Sequence, residues 1–194
     1  MELFELLNED GTKQGIVKER EAVHREGDLH GGSHVWVSRY SAKYKRIEIL
    51  LQKRRFDKDA FPGCWDVSCA GHMDQGEDFI TTAIREAGEE LGLFIEKEDL
   101  DFLFSQLVEG KYVFHGKPFW NREVNHVFLL KKEVQGDMLN FQKEEIEMLE
   151  WQDAEHIKNE LINNNPEYCI FLKEYMGLYE YLVNKYEGNK AGDE

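Results

Sequence analysis

The chain is short of the residues that punctuate and cross-link a polypeptide, with three prolines and three cysteines in 194 residues. No Ser-rich or Gly-rich run offers a linker, and no repeat recurs at a fixed period. A single domain over residues 1–187 is expected, followed by a disordered tail over 188–194. Cys64, Cys69 and Cys169 are odd in number and lack ligand-type spacing, which excludes a disulfide framework and a cysteine zinc site and leaves reduced thiols. No stretch approaches the roughly 18 apolar residues of a membrane-spanning helix, and the opening MELFELLNEDG has no basic leader. A cytoplasmic protein without a membrane partner is expected. Basic residues are also scarce, 24 Lys and Arg against 39 Asp and Glu, for a net charge of −15. That balance argues against a nucleic-acid partner. A small phosphorylated ligand stays open, provided metal ions and local cations reverse the field where it binds. The run Lys53, Arg54, Arg55 either supplies those cations or forms a solubilising loop edge.

What the chain does have is apolar and aromatic content, 41% and 12%, enough for one sizeable core. Glu2 to Leu7 and Gly15 to Lys18 read as strand, turn and strand. Ala22 to Ser33 reads as a Gly-containing loop flanked by His24 and His30. His34 to Tyr40 and Arg46 to Gln52 read as an antiparallel pair at the sheet's core. Phe56 to Asp66 is a loop set by Pro62 and Gly63, with Trp65 packed beneath it, and Val67 to Ala70 is a short strand. Leu100 to Val108, Lys111 to His115 and Glu123 to Lys131 read as three further strands, and Gln142 to Trp151 as a loop or helical turn leading into an edge strand. Asp153 to Asn163 reads as a helix with Asp153 as N-cap, and Pro166 opens a last helix with an apolar stripe.

One stretch stands apart, GHMDQGEDFITTAIREAGEELGL, from Gly71 to Leu93. Glu77 to Leu91 has helical periodicity, with Phe79, Ile80, Ala83, Ile84, Ala87 and Leu91 as the buried stripe. Glu86, Glu89 and Glu90 then fall at i, i+3 and i+4 on one face, where like charges repel by a few tenths of a kcal/mol per pair. Arg85 answers part of that charge. The pattern reads as a loop, helix and loop that collects carboxylate oxygens for a hard divalent cation.

The spacing G-x5-E-x7-R-E-A-x-E-E-x-G-L, through Gly71, Glu77, Arg85, Glu86, Ala87, Glu89, Glu90, Gly92 and Leu93, resembles the Nudix box at every defined position. The resemblance implies an α/β fold, the Nudix-type α/β/α sandwich with a mixed sheet plus C-terminal helices, and hydrolysis of a diphosphate bond in a nucleoside diphosphate derivative or similar organic diphosphate. It implies Mg2+ or Mn2+ held by Glu86, Glu89 and Glu90, with Glu86 a ligand or base, and Arg85 orienting Glu77 through an ion pair. Gly71 would let the backbone approach metal or phosphate closely, and Gly92 ends the helix. The general base would come from outside the box, with Glu123, Glu144 and Glu145 as candidates. Phe119 and Trp120 either read the group beyond the diphosphate or pack in the core. A homodimer is compatible with the sequence.

The flanks AVHREGDLH, FPGCWDVSCAGH and EVNHVF resemble isopentenyl diphosphate isomerase, a Nudix-type enzyme. That resemblance implies a second metal site at His24, His30, His72 and Glu123; the other reading is polar loop histidines near a phosphate pocket. The departures are specific. Ala70 stands where the isomerase has its catalytic cysteine, and Cys69 one residue earlier faces the other way if the segment is a strand. Asn121 replaces one of two later glutamates, the histidine gap is one residue shorter, and every hydrolase carboxylate is present. Hydrolysis is the expectation, with isomerisation and a non-catalytic nucleotide-binding module as alternatives.

Overall fold

The computed structural model describes residues 2–134 and 139–187, so the expected tail at 188–194 lies outside the described residues. The chain runs β1 (Leu3–Leu7), β2 (Lys13–Glu19), α1 (Arg20–Glu26), β3 (His30–Trp36), β4 (Ser38–Ser41), β5 (Arg46–Arg54), β6 (Trp65–Asp66), β7 (Cys69–His72), α2 (Phe79–Leu91), β8 (Leu100–Phe114), β9 (Lys117–Leu130), β10 (Ile146–Asp153), α3 (Ala154–Ile162) and α4 (Leu172–Glu187).

The strands fall into two main sheets and a β1-β2 hairpin. One sheet has the order β7-β3-β9-β8, with β3 and β9 parallel and the other neighbours antiparallel. The other has the order β10-β5-β4, with β6 beside β5. The apolar runs in β3, β5 and β9 are buried on both faces, which is why they are continuous rather than alternating. Trp36, Ile49, Leu51, Val127 and Leu129 join the core under α3 and α4. Their neighbours Val35, Leu50, Phe128 and Leu130 join a second core under α2. The strands are therefore a middle layer between helices, the α/β/α sandwich of mixed sheet expected.

Several local expectations are corrected. His24 lies in helix α1, closed by Gly27 in the left-handed conformation, and His30 opens strand β3. Gly31 and Gly32 do not mark a loop. A Cβ on Gly32 would lie 2.0 Å from Glu123 Oε1, so the strand needs glycine where β9 approaches. His34 to Tyr40 is split at Val37, so β3 and β4 belong to different sheets. The three later strands are two long ones, because Gly110 sits inside β8 with the Tyr112 ring filling the place of its missing side chain. The last helix starts at Leu172 rather than Pro166. The segment before it is tied to Trp65, whose N–H donates to Glu167 O at 2.7 Å and whose carbonyl accepts from Cys169 N at 3.0 Å.

Asp153 caps α3 as expected, accepting from Glu155 N at 2.8 Å and His156 N at 3.2 Å. Asp153→Ala is expected to lower the unfolding free energy by about 1 kcal/mol, and Asp153→Asn by a smaller amount because it keeps an acceptor. Urea denaturation of the two variants tests this; an Asp153→Ala variant as stable as the wild type would show that the cap contributes nothing.

Candidate active site

Strand β7 delivers Gly71 and helix α2 delivers the carboxylates, and Arg85 ties the two together. Its Nε donates to Glu77 Oε1 at 2.9 Å and its Nη2 to Glu77 Oε2 at 3.1 Å. Its Nη1 reaches Glu86 Oε1 at 2.7 Å and Glu89 Oε2 at 3.1 Å. Nη2 also reaches the His72 carbonyl at 3.0 Å, which anchors the helix to β7. Glu77 accepts in addition from Thr82 Oγ1 at 2.9 Å and from Asp74 N at 3.3 Å. Asp78 caps the helix by accepting from Thr81 N at 2.9 Å, and Gly92 closes it in the left-handed conformation.

The three box glutamates occupy different environments. Glu89 is exposed. Glu90 is buried and accepts from Gln52 Nε2 at 3.0 Å and Ala70 N at 3.2 Å. Burial pushes its carboxyl up to about 7, against both hydrogen bonds. Burial and then the Glu90 charge push Glu86 up to about 8, against Arg85. Arg85 offsets only part of this at Glu86 and does not bond Glu90, so both acids are short of positive charge.

These groups border a cleft of about 350 Å3, which Arg20, Arg54 and Lys58 also line. A second cavity of about 130 Å3 shares Arg20, Arg54, Ala70, Gly71 and His72 with it. Of the expected cations only Arg54 reaches the cleft, and it is paired with Asp66 at 3.1 Å. Lys53 lies over the Trp65 ring, 4.9 Å from its centroid, and Arg55 pairs with Asp57 at 2.9 Å. Strand alternation at the end of β5 separates Lys53 from Arg54. Arg20 and Lys58 carry no motif that would have marked them, and neither do His34 and Glu174 on the wall of the second cavity.

Glu145 lines the cleft in an ion pair with Lys58, whereas Glu144 is not among the cleft-lining residues. Glu123 is buried in the wall of the second cavity, accepting from Asn121 Nδ2 at 3.1 Å, with His72 Nε2 3.9 Å away. Phe119 also lines that cavity and stacks on His24 at 4.1 Å, while Trp120 packs over Gly27. Cys69 is fully buried, and burial raises its thiol far above the usual range, so it is no accessible nucleophile.

His24, His30 and His72 come together, each offering a ring nitrogen within 4.8 Å of the other two. The Nδ1 atoms of His24 and His30 meet the carbonyls of Arg20 at 2.9 Å and Asp28 at 3.0 Å. Their Nε2 atoms are buried with no partner among the described residues. Burial holds His24 down at about 3 and His72 well below the usual range, so both rings are neutral at pH 7. In His24 the neutral ring with Nδ1 tied to a carbonyl presents Nε2 as a lone pair toward the other two histidines.

Gly71 is where backbone meets carboxylate: a Cβ there would lie 1.8 Å from Glu86 Oε1. Gly71→Ala is expected to cost about 1–3 kcal/mol by overpacking. Adding Glu86→Ala should recover most of that loss, so a double-mutant cycle in denaturant should give a clear coupling energy. Additive losses would mean that Gly71 matters for its backbone rather than for the space Glu86 fills.

The chain resembles known proteins along most of its length. Nudix hydrolase 3 of Arabidopsis thaliana is 36% identical over 192 residues, 97% of this chain and 24% of that relative, so the chain spans about a quarter of it. The isopentenyl-diphosphate Delta-isomerase of Pectobacterium atrosepticum is 25% identical over 169 residues, 87% of this chain and 86% of its own. A crystal structure of a C. elegans Ap4A hydrolase binary complex superposes with a TM-score of 0.55 at 22% identity, covering 80% of this chain and 98% of that one. The NUDIX domain model matches residues 32–172, a span that holds the whole Gly71 to Leu93 segment. By that match, the chain belongs to the NUDIX domain family.

Proposed function

We propose that this chain is a magnesium- or manganese-dependent hydrolase of the diphosphate linkage in a nucleoside diphosphate derivative or a similar small organic diphosphate. The observation that carries the reading is the pair Glu86 and Glu90 on one cleft: Glu90 is buried against Gln52 and the Ala70 N–H rather than a cation, and Glu86 shares the Arg85 guanidinium with Glu77 and Glu89. Such oxygen donors, short of positive charge, fit a hard divalent cation. Glu86, Glu89 and Glu90 would hold it. When bound, that cation neutralises phosphate oxygens and makes a coordinated water more acidic.

The chain's own groups do the rest. Arg20, Arg54 and Lys58 bring positive charge to a cleft that also carries the Glu86, Glu89 and Glu90 carboxylates, which would otherwise repel an anionic diphosphate. Arg85 keeps Glu77, Glu86 and Glu89 in register, so its role is positioning. Glu145, on the cleft and beside Lys58, is the favoured base for accepting a proton from the attacking water. Glu123 serves less well, because it is buried among Asn121 and the histidines.

Isomerisation remains the second reading, favoured by the convergent His24, His30 and His72, which suit a second metal ion. It is weakened by Cys69, whose burial removes it from the cleft.

Incubation with ADP-ribose, nucleotide sugars and nucleoside diphosphates in Mg2+ is expected to release a monophosphate or phosphate. Glu90→Gln should lower kcat/KM at least about a hundredfold, near 2.7 kcal/mol. Isopentenyl diphosphate should remain unconverted. Conversion to the allylic isomer would overturn the hydrolase reading, and tight nucleotide binding without turnover would point to a binding module.

A further inference from the structure

The second cavity ends on a charged group that the box does not use. His34, on β3, lines this cavity with 13% of its side chain exposed. Its Nδ1 lies 2.9 Å and 3.0 Å from the two carboxylate oxygens of Glu174. Glu174, in the first turn of α4, is 1% exposed and is also gripped by Trp36 Nε1 at 2.9 Å and by Gln106 Nε2. Three donors from β3 and β8 therefore converge on one buried carboxylate, and of these three only His34 lines the cavity. With Nδ1 committed, Nε2 is the ring nitrogen His34 has left to offer.

Burial alone would keep His34 neutral, but the Glu174 charge and hydrogen bond outweigh it and push the imidazole up to about 9, with Glu123 on β9 and Asp66 on β6 acting in the same direction. The ring is cationic at pH 7. Burying a carboxylate this deeply stabilises little, since desolvation offsets most of the attraction, and apolar residues of similar size would serve a core at least as well. A buried pair of this kind on a cavity wall is more readily explained by ligand binding than by packing.

We propose that this cavity is an anion-binding chamber in which His34, fixed by Glu174, donates its Nε2–H to a phosphate oxygen of the substrate on the side away from Glu86 and Glu90. The proposal rests on the diphosphate reading and deepens it by naming the residue that grips the substrate beyond the box. Glu174 never touches the ligand; it is a positioning residue. Arg54 contributes less flexibly, because its guanidinium is also held by Asp66 and by the Ala60 carbonyl at 3.1 Å.

The probe is methylene bisphosphonate, a non-hydrolysable diphosphate, titrated with Mg2+ present. His34→Gln keeps a hydrogen-bond partner for Glu174 and is expected to raise the probe's Kd about tenfold or more, the loss of one charge-assisted hydrogen bond. Circular dichroism checks that the variant stays folded, although removing the cation beside buried Glu174 lowers Tm. In nitrogen-15 histidine spectra the wild-type His34 should stay an imidazolium through pH 8 and shift when the probe binds. In Glu174→Gln it should lose its proton at lower pH, and the probe should bind more weakly there too. Equal affinity in wild type and His34→Gln, or a His34 signal that the probe leaves unmoved, would overturn the proposal. So would a wild type that does not bind the probe, while the turnover assay above judges the hydrolase reading separately.

Discussion

The site depends on one guanidinium. Arg85 spends its donors on Glu77, Glu86, Glu89 and the His72 carbonyl, joining a loop, a helix and a strand that would otherwise repel or drift. The geometry uses what arginine has and lysine lacks, a planar fork of donors that can address several oxygens at once. Burial works against that compensation: it raises the Glu86 carboxyl despite Arg85, and it raises Glu90, which the guanidinium does not bond. The same packing that builds the site leaves these two acids short of positive charge.

The scaffold places this charge at a cleft rather than in a core. Ala83, Ala87 and Leu91 hold α2 against one face of the strand layer, and α3 and α4 cover the other. Gly71 lets β7 come close enough for the Glu86 carboxylate to fill the place of a side chain. On the far side of the layer, α4 sends Glu174 back toward β3, so a helix outside the box reaches the second cavity.

Much of this was legible in the sequence where the signal is local. The box spacing, the Asp153 cap and the apolar runs of β5 and β9 depend on neighbours within a few residues, and the structure has them where the pattern indicated. What escaped depends on tertiary pairing. Helix α1 is one short segment followed by glycine and aspartate, and Gly31, Gly32 and Gly110 resemble turn signals until the side chains that fill their space are known. The selection of Arg54 over Lys53 and Arg55 follows from which way the end of β5 faces, and the pairing of His34 with Glu174 joins residues at opposite ends of the chain.

The parallel ladder between β3 and β9 sets when this site can exist. His30 pairs with Glu123 and Trp36 with Leu129, so the two strands must wait for each other across the whole box and the long hairpin. Such non-local pairing is slow to form, since chain closure has to precede any reward from contact. During synthesis the amino-terminal histidines therefore emerge well before their partner strand, and the apolar edge of β3 is left uncovered until it arrives. A growing chain of this protein is most exposed to misassembly in that interval, before the ribosome has released β9.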